Sequence, residues 1–294
     1  MGLYLQLLVD GILLGGLYAL GALGISFGYG VIRIINFAHG EFIMLGAYAA
    51  YWLATLYGLD PLLSLPLVVV GGGLGGYLLF HGVIRKVLAA PHLNQILLTF
   101  GISLVLQNAA VILWTGDMRS AASVVSYSTT EAGTLLLVHA RVIAFIVAVL
   151  LVAGLLGWLK WSELGRATRA VAQNERAAIL MGIPVQSIYA LSFAVSAAFG
   201  VAAGGLVSFL IPISPWMGFP FVVKSFAIVV LGGLGSVMGV IVGAMLLGIS
   251  ETAVSFFVPG GSGWAEGVSF VFLFGILLVR PRGIFGQAME EPQR

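Results

Sequence analysis

Apolar residues in this chain fall in continuous blocks joined by short polar turns, and the blocks show no strict alternation of apolar and polar positions. A helix rises about 1.5 Å per residue, so a hydrocarbon core of about 30 Å takes roughly 20 apolar residues. On that measure the pattern predicts nine membrane-spanning helices, over 4–28, 41–58, 62–84, 95–114, 138–159, 188–210, 219–234, 237–257 and 264–280. The seventh is short for a crossing and is expected to be broken or incomplete. A membrane β-barrel would instead read as short alternating segments. The fold class is therefore an all-α polytopic membrane protein with eight to nine transmembrane helices, one or two of them short or broken.

Composition narrows the function. Of 294 residues, 60% are hydrophobic and 8% charged, and mean hydropathy is +1.11. Soluble domains carry about 25% charged residues, so a soluble enzyme and a disordered chain are both excluded. With Cys 0 there is no disulfide, thiolate metal site or redox motif. The net charge of +2 comes from 13 scattered Lys and Arg, which is no nucleic-acid footprint. The opening MGLYLQLLVD lacks a positive n-region, so the first apolar run is expected to stay as a helix.

Charge position sets orientation. With the polar loop 160–187 placed in the cytoplasm, Arg33, Arg85, Lys86, Lys160, Arg166, Arg169, Arg176, Arg280, Arg282 and Arg294 fall inside, and Arg119, Arg141 and Lys224 outside. Ten against three is a strong positive-inside bias and predicts the N-terminus outside and the C-terminus cytoplasmic. The longest external piece is then 115–137, polar and rich in Ser and Thr. The expected organisation is one compact membrane domain over 1–294, with 160–187 as its cytoplasmic loop.

Gly occupies 41 positions, about twice its usual share of roughly 7%. Gly11/Gly15, Gly24/Gly28, Gly72/Gly76, Gly200/Gly204 and Gly235/Gly239/Gly243 recur one turn apart, which predicts helix faces that let a neighbour approach closely. Ordinary bundle packing explains this more simply than a dimer face. Gly71–Gly76 also fits GxGxxG, but inside an apolar span it lacks the strand–turn–helix setting of a dinucleotide site. No P-loop, HExxH or GxSxG elbow occurs.

Polar residues at membrane depth are costly and are candidate functional groups. Asn36, His39 and Glu41 cluster in VIRIINFAHGEFIMLGAY. Glu41 is placed to charge the start of the second span, and His39 to satisfy backbone left open by the break. A structural role for these three is as well founded as ligand contact, and no second ligand gives metal spacing. Gln107 and Asn108 lie within the fourth span and are expected to bond to another helix. Asp10 lies near the outer end of the first span. Snorkelling is enough to explain Lys224, with a Lys224–Glu251 pairing as the alternative; Glu251 lies deeper and is the better pathway candidate. Asn36, His39, Glu41, Gln107, Asn108 and Glu251 are thus the substrate-pathway candidates.

The loop KWSELGRATRAVAQNERAAILMGIPVQS differs from the rest. Arg166, Arg169, Gln173 and Arg176 recur at three and four, with Ala167, Ala170, Val171 and Ala178 on another face, which predicts an amphipathic helix ending near Gly182 and Pro184. Its small, alanine-rich face suits a protein partner better than lipid.

Here the chain resembles a known family. RAAILMG (176–182) is similar to the EAA---G loop of ABC importer permeases, with Arg176 in place of Glu. YALGALGISFGYGVIRIINFAHGEFIMLGAY (18–48), ISLVLQN (102–108), LGRATRAVAQNERAAILMGI (164–183), VLGGLGSVMGVIVGAMLLGISE (230–251) and VRPRGIFG (279–286) together resemble the permeases of branched-chain amino-acid ABC importers. The loop after Trp114 is shorter than that family's. The resemblance implies a bacterial inner-membrane transport subunit rather than an enzyme. It implies two cytoplasmic ATPases that carry ATP and magnesium, a second permease (paralogue or identical copy), and a periplasmic or extracellular binding protein. It implies that Gly165, Arg166, Arg169, Ala177, Ala178 and Gly182 couple to the ATPase. Importers of urea or short amides share the architecture, and an ion-coupled secondary transporter is the rival class, resting on Glu251 and Asp10.

Overall fold

The computed structural model describes residues 2–126, 128–133, 135–279 and 283–285. The helices are α1 (Gly2–Ile32), α2 (His39–Tyr57), α3 (Pro61–Gly82), α4 (His92–Trp114), α5 (His139–Trp161), α6 (Glu163–Gln173), α7 (Glu175–Leu180), α8 (Val185–Val207), α9 (Gly218–Gly232), α10 (Val237–Phe257) and α11 (Gly261–Val279). All nine apolar blocks are helices in the expected order. Six of them, α1, α3, α4, α5, α8 and α10, are long and apolar enough to cross a membrane. The polar first turn of α2, with His39 and Glu41, keeps it from being a seventh. The expected short seventh block is α9, at 15 residues. That is about 22 Å of helix against a core of about 30 Å.

At the level of the fold the sequence reading needs three corrections. First, the Ser/Thr-rich loop folds into a two-stranded antiparallel hairpin, β1 (Thr129–Ala132) and β2 (Leu135–Val138). Second, the single amphipathic helix is two. Asn174, in extended conformation, ends α6 and caps α7 by accepting the Ala177 N–H at 3.0 Å. The helical period runs unbroken through this position, so periodicity hid the cap. Third, Gly235 lies in a left-handed turn with φ 80 and shares no face with Gly239 and Gly243. Arg280, Arg282 and Arg294, counted in the charge bias, lie outside the described residues.

α1 and α8 form the centre. Two-thirds or more of their apolar windows are buried, against 11% for α4. Glycines make this packing possible, and the contacts lie within the chain. Gly11 and Gly15 of α1 face Ile249, Ala244 and Met245 of α10, while Gly72 and Gly76 of α3 face Val201 and Ala197 of α8. α5, at 23 residues, is about 34 Å long. It separates the hairpin from α6 and α7, so these two features mark opposite ends of the bundle.

Candidate functional site

α1 ends at Ile32, and Arg33 turns the chain back with φ 59. Residues 33–38 then re-enter the bundle before α2 begins. His39 donates from Nε2 to the Gly21 carbonyl at 2.9 Å, a point about 16 Å along α1 from its end. A Cβ added at Gly24 or Gly200 would lie 2.5 or 3.0 Å from His39 Cε1, so the fully buried imidazole is seated between two glycines. This corrects the expectation that His39 serves backbone opened by the break: its partner is a mid-helix carbonyl. Since a carbonyl only accepts, Nε2 carries the proton and Nδ1 is a bare acceptor with no partner.

Glu41 does not cap α2. Asn36 holds that turn through its Oδ1, which accepts the Ala38 N–H at 3.1 Å. Glu41 Oε1 instead accepts from Ser103 of α4 at 3.0 Å, and its carboxylate lies against Gly218, the first residue of α9, where a Cβ would sit 2.7 Å away. Thr99 of α4 accepts the Phe37 N–H at 3.3 Å and donates to the Ile35 carbonyl at 3.2 Å. Asn36 Nδ2, His39 Nδ1 and Glu41 Oε2 are all buried without a hydrogen-bond partner. Each such atom costs about 1–3 kcal/mol. Three in six residues, where α1, α2, α4 and α9 meet, mark a place built to meet something polar.

The other pathway candidates separate. Asn108 bonds within its own helix, to the Leu104 carbonyl at 2.8 Å, and α4 is mostly exposed. The interhelical bond expected of Gln107 and Asn108 is absent among the described residues. Glu251, by contrast, pairs with Lys224 at 2.5 Å, and Lys224 also donates to the Tyr18 hydroxyl at 2.8 Å. Both side chains are nearly buried, 13% and 7% exposed, so Lys224 is an ion-pair partner rather than a snorkelling residue. Near the hairpin end, Arg141 pairs with Asp10 at 3.0 Å, and Gln6 exchanges two hydrogen bonds with the Leu136 backbone.

The opposite end is built by close approach. Ser162 caps α6 through the Gly165 N–H at 2.8 Å, and any Cβ on Gly165 would strike the backbone of Trp158 and Leu159. Gly182 adopts φ 78, which only glycine takes without strain. Arg166, Arg169 and Ala177 are exposed and Ala178 is buried. Arg166 bonds loosely to Glu163 at 3.9 Å, a pair worth little in water. The sequence reading missed Leu180 and Met181, 87% and 81% exposed. Two large apolar residues at the end of a polar loop were the available signal. Asn174→Ala is expected to weaken α7 by about 1 kcal/mol, seen as faster hydrogen exchange at the Ala177 amide.

A family model described as the permease component of the branched-chain amino acid transport system matches residues 7–279. The chain belongs to that family. It is 32% identical to the high-affinity branched-chain amino acid transport system permease protein BraD of Pseudomonas aeruginosa, over 98% of this chain and 97% of that protein. It is 33% identical to the corresponding LivH permease of Escherichia coli, with the same coverage. Identity to the LivM permease of Salmonella typhimurium is 30%, over 94% of this chain and 69% of that protein. No solved structure matches the chain. The permease is accordingly a transport subunit and not an enzyme, and its apolar helices make it a multi-pass membrane protein.

Proposed function

We propose that this chain is one membrane-spanning permease of an ATP-driven importer that carries branched-chain or related amino acids across the bacterial inner membrane. Family membership carries this reading. Residues 1–294 act as one permease domain, with the N-terminus outside, the C-terminus inside and 160–187 cytoplasmic. A second permease, two ATPases that bind ATP and magnesium, and an external binding protein complete the assembly.

α6 and α7 suit the coupling role because they form a glycine-cornered unit beyond α5 with an apolar tip at Leu180 and Met181. Such a tip left in water is unfavourable by about 1.5–3 kcal/mol for each side chain fully buried elsewhere, which favours a groove on a partner. Gly165 and Gly182 set the shape, Ala177 and Ala178 allow close approach, and Arg166 and Arg169 flank the contact. Deeper in the bundle from that same end, the return carrying Asn36, His39 and Glu41 acts as the gate. Its unpartnered polar atoms are satisfied when the helices part and water or substrate enters.

The deciding experiment is purification of the tagged chain in mild detergent from its native membrane, with mass spectrometry of what accompanies it. A P-loop ATPase and a binding protein are expected; isolation of the chain alone would reject the importer. In the reconstituted assembly, the double variant Leu180→Asp/Met181→Asp is expected to lower amino-acid uptake at least about tenfold, as loss of even one buried apolar side chain at the contact requires. The Met118→Asp control, at an exposed loop position outside every span, checks that added charge alone does not cause it.

A further inference from the structure

A cavity of about 310 Å3 lies between α1, α5, α10 and the segment leading into α9. That volume falls at the lower end of the range for small-molecule sites, about 300–1,000 Å3. Three charged side chains line it: Asp10, Arg141 and Glu251. The rest of the wall is mainly aliphatic, with Leu13, Leu17 and Ile211 among its residues.

All three charges are paired, Asp10 with Arg141 and Glu251 with Lys224, but the pairing leaves polar atoms over. Lys224 engages Oε1 of Glu251, while Oε2 is buried and has no hydrogen-bond partner. The Glu251 residue is 6% exposed, and an ionised oxygen in such a place is costly unless a donor meets it. Asp10 engages one guanidinium nitrogen of Arg141 through Oδ1, and a guanidinium carries five N–H donors. The cavity therefore offers an unmet acceptor on a buried residue, spare cationic donors on a partly exposed one, and an aliphatic wall beside them.

The geometry points to a binding site on this chain for the zwitterion of an aliphatic α-amino acid. Its ammonium donates to Glu251 Oε2, its carboxylate accepts from Arg141, and its side chain lies along Leu13, Leu17 and Ile211. A simple cation would satisfy Glu251 but leave the spare donors of Arg141 unmet; an acyl chain would leave both unmet. A small neutral solute would leave the aliphatic wall wet. The inference rests on the amino-acid reading of the substrate and deepens it: the permease itself, and not only a binding protein, recognises the charged α-carbon.

The test uses a property of the chain. With Cys 0, Ser255→Cys or Thr252→Cys places a single thiol in the cavity wall. Labelling of each variant by a small methanethiosulfonate reagent is followed in the assembled transporter in lipid. L-Leucine is expected to slow labelling about tenfold, the scale of one hydrogen bond to a charged group. Leucinamide, which lacks the carboxylate, and 4-methylpentanoate, which lacks the ammonium, are expected to give little protection. Glu251→Gln added to the Ser255→Cys variant should abolish protection by leucine, and the analogue series decides the matter if that double variant does not fold.

Equal protection by all three compounds, or none by leucine, overturns the site; so does failure of the reagent to reach either thiol. Leucine uptake by the same assembly is scored separately. Protection without uptake keeps the site and rejects the importer reading, and uptake without protection does the reverse.

Discussion

Lys224→Met is expected to destabilise the permease by about 3–5 kcal/mol, because it leaves Glu251 as an uncompensated charge in a buried setting. The pair spans α9 and α10 and reaches Tyr18 of α1, with the ammonium 4.9 Å from the Tyr18 ring centroid. Its removal therefore loosens three helices at once. Replacing both partners, as in Lys224→Met/Glu251→Met, removes the desolvation penalty along with the attraction and is expected to recover most of the loss. Thermal unfolding in one fixed mild detergent measures all three variants. If the single variant were as stable as the parent, the pair would be wet and of little consequence. The double variant is expected to keep the fold and lose leucine protection of Ser255→Cys, which separates what the pair does for packing from what Glu251 does for the ligand.

Gly204→Val is expected to cost about 3 kcal/mol or more, the upper part of the range for overpacking. A Cβ at Gly204 would fall onto the Ile43 carbonyl and lie 2.8 Å from the Ala47 nitrogen. These are backbone atoms of α2, which cannot swing aside as a side chain can, so α2 must part from α8. Gly46 makes the reciprocal approach to Val201 on the same interface. Gly71→Ala is the contrast. A Cβ there meets nothing within 4 Å, and alanine removes the helix penalty of glycine, about 0.5–1 kcal/mol. Thermal unfolding should show the first variant far below the parent and the second at or above it. Equal shifts would mean that glycine acts here through the unfolded chain rather than through close approach.

The spans were legible because hydropathy and length act locally: each block must satisfy its own backbone in lipid whatever its neighbours do. The shortness of α9 followed from the same arithmetic. The depth of the α2 start did not, because it depends on which carbonyl of α1 His39 reaches, a contact across 18 residues that no local pattern encodes. The Asn36–Glu41 stretch was recognisable as polar and glycine-bounded, but its binding to Thr99 and Ser103 of α4 was hidden in two unremarkable residues of an apolar helix. The Lys224–Glu251 pair was in view as two charges, and only the packing of α9 on α10 joined them. For α6 and α7, periodicity found the amphipathic face and passed over Asn174, whose capping preference competes with the helical period.

The length of α1 has a mechanical consequence. Its 31 residues make a rod of about 46 Å, well beyond the hydrocarbon thickness of about 30 Å, so it either leans or projects. One end carries Asp10, at the cavity; the other carries Gly30, packed on Gly235, and touches α6. A rigid rod pivoting by about 5° at its midpoint moves each tip about 2 Å in opposite directions. Asp10 lies about 10 Å from that midpoint, so a push delivered at α6 arrives there as a shift of about 1 Å, enough to lengthen its 3.0 Å pairing with Arg141, with no unwinding of the helix between.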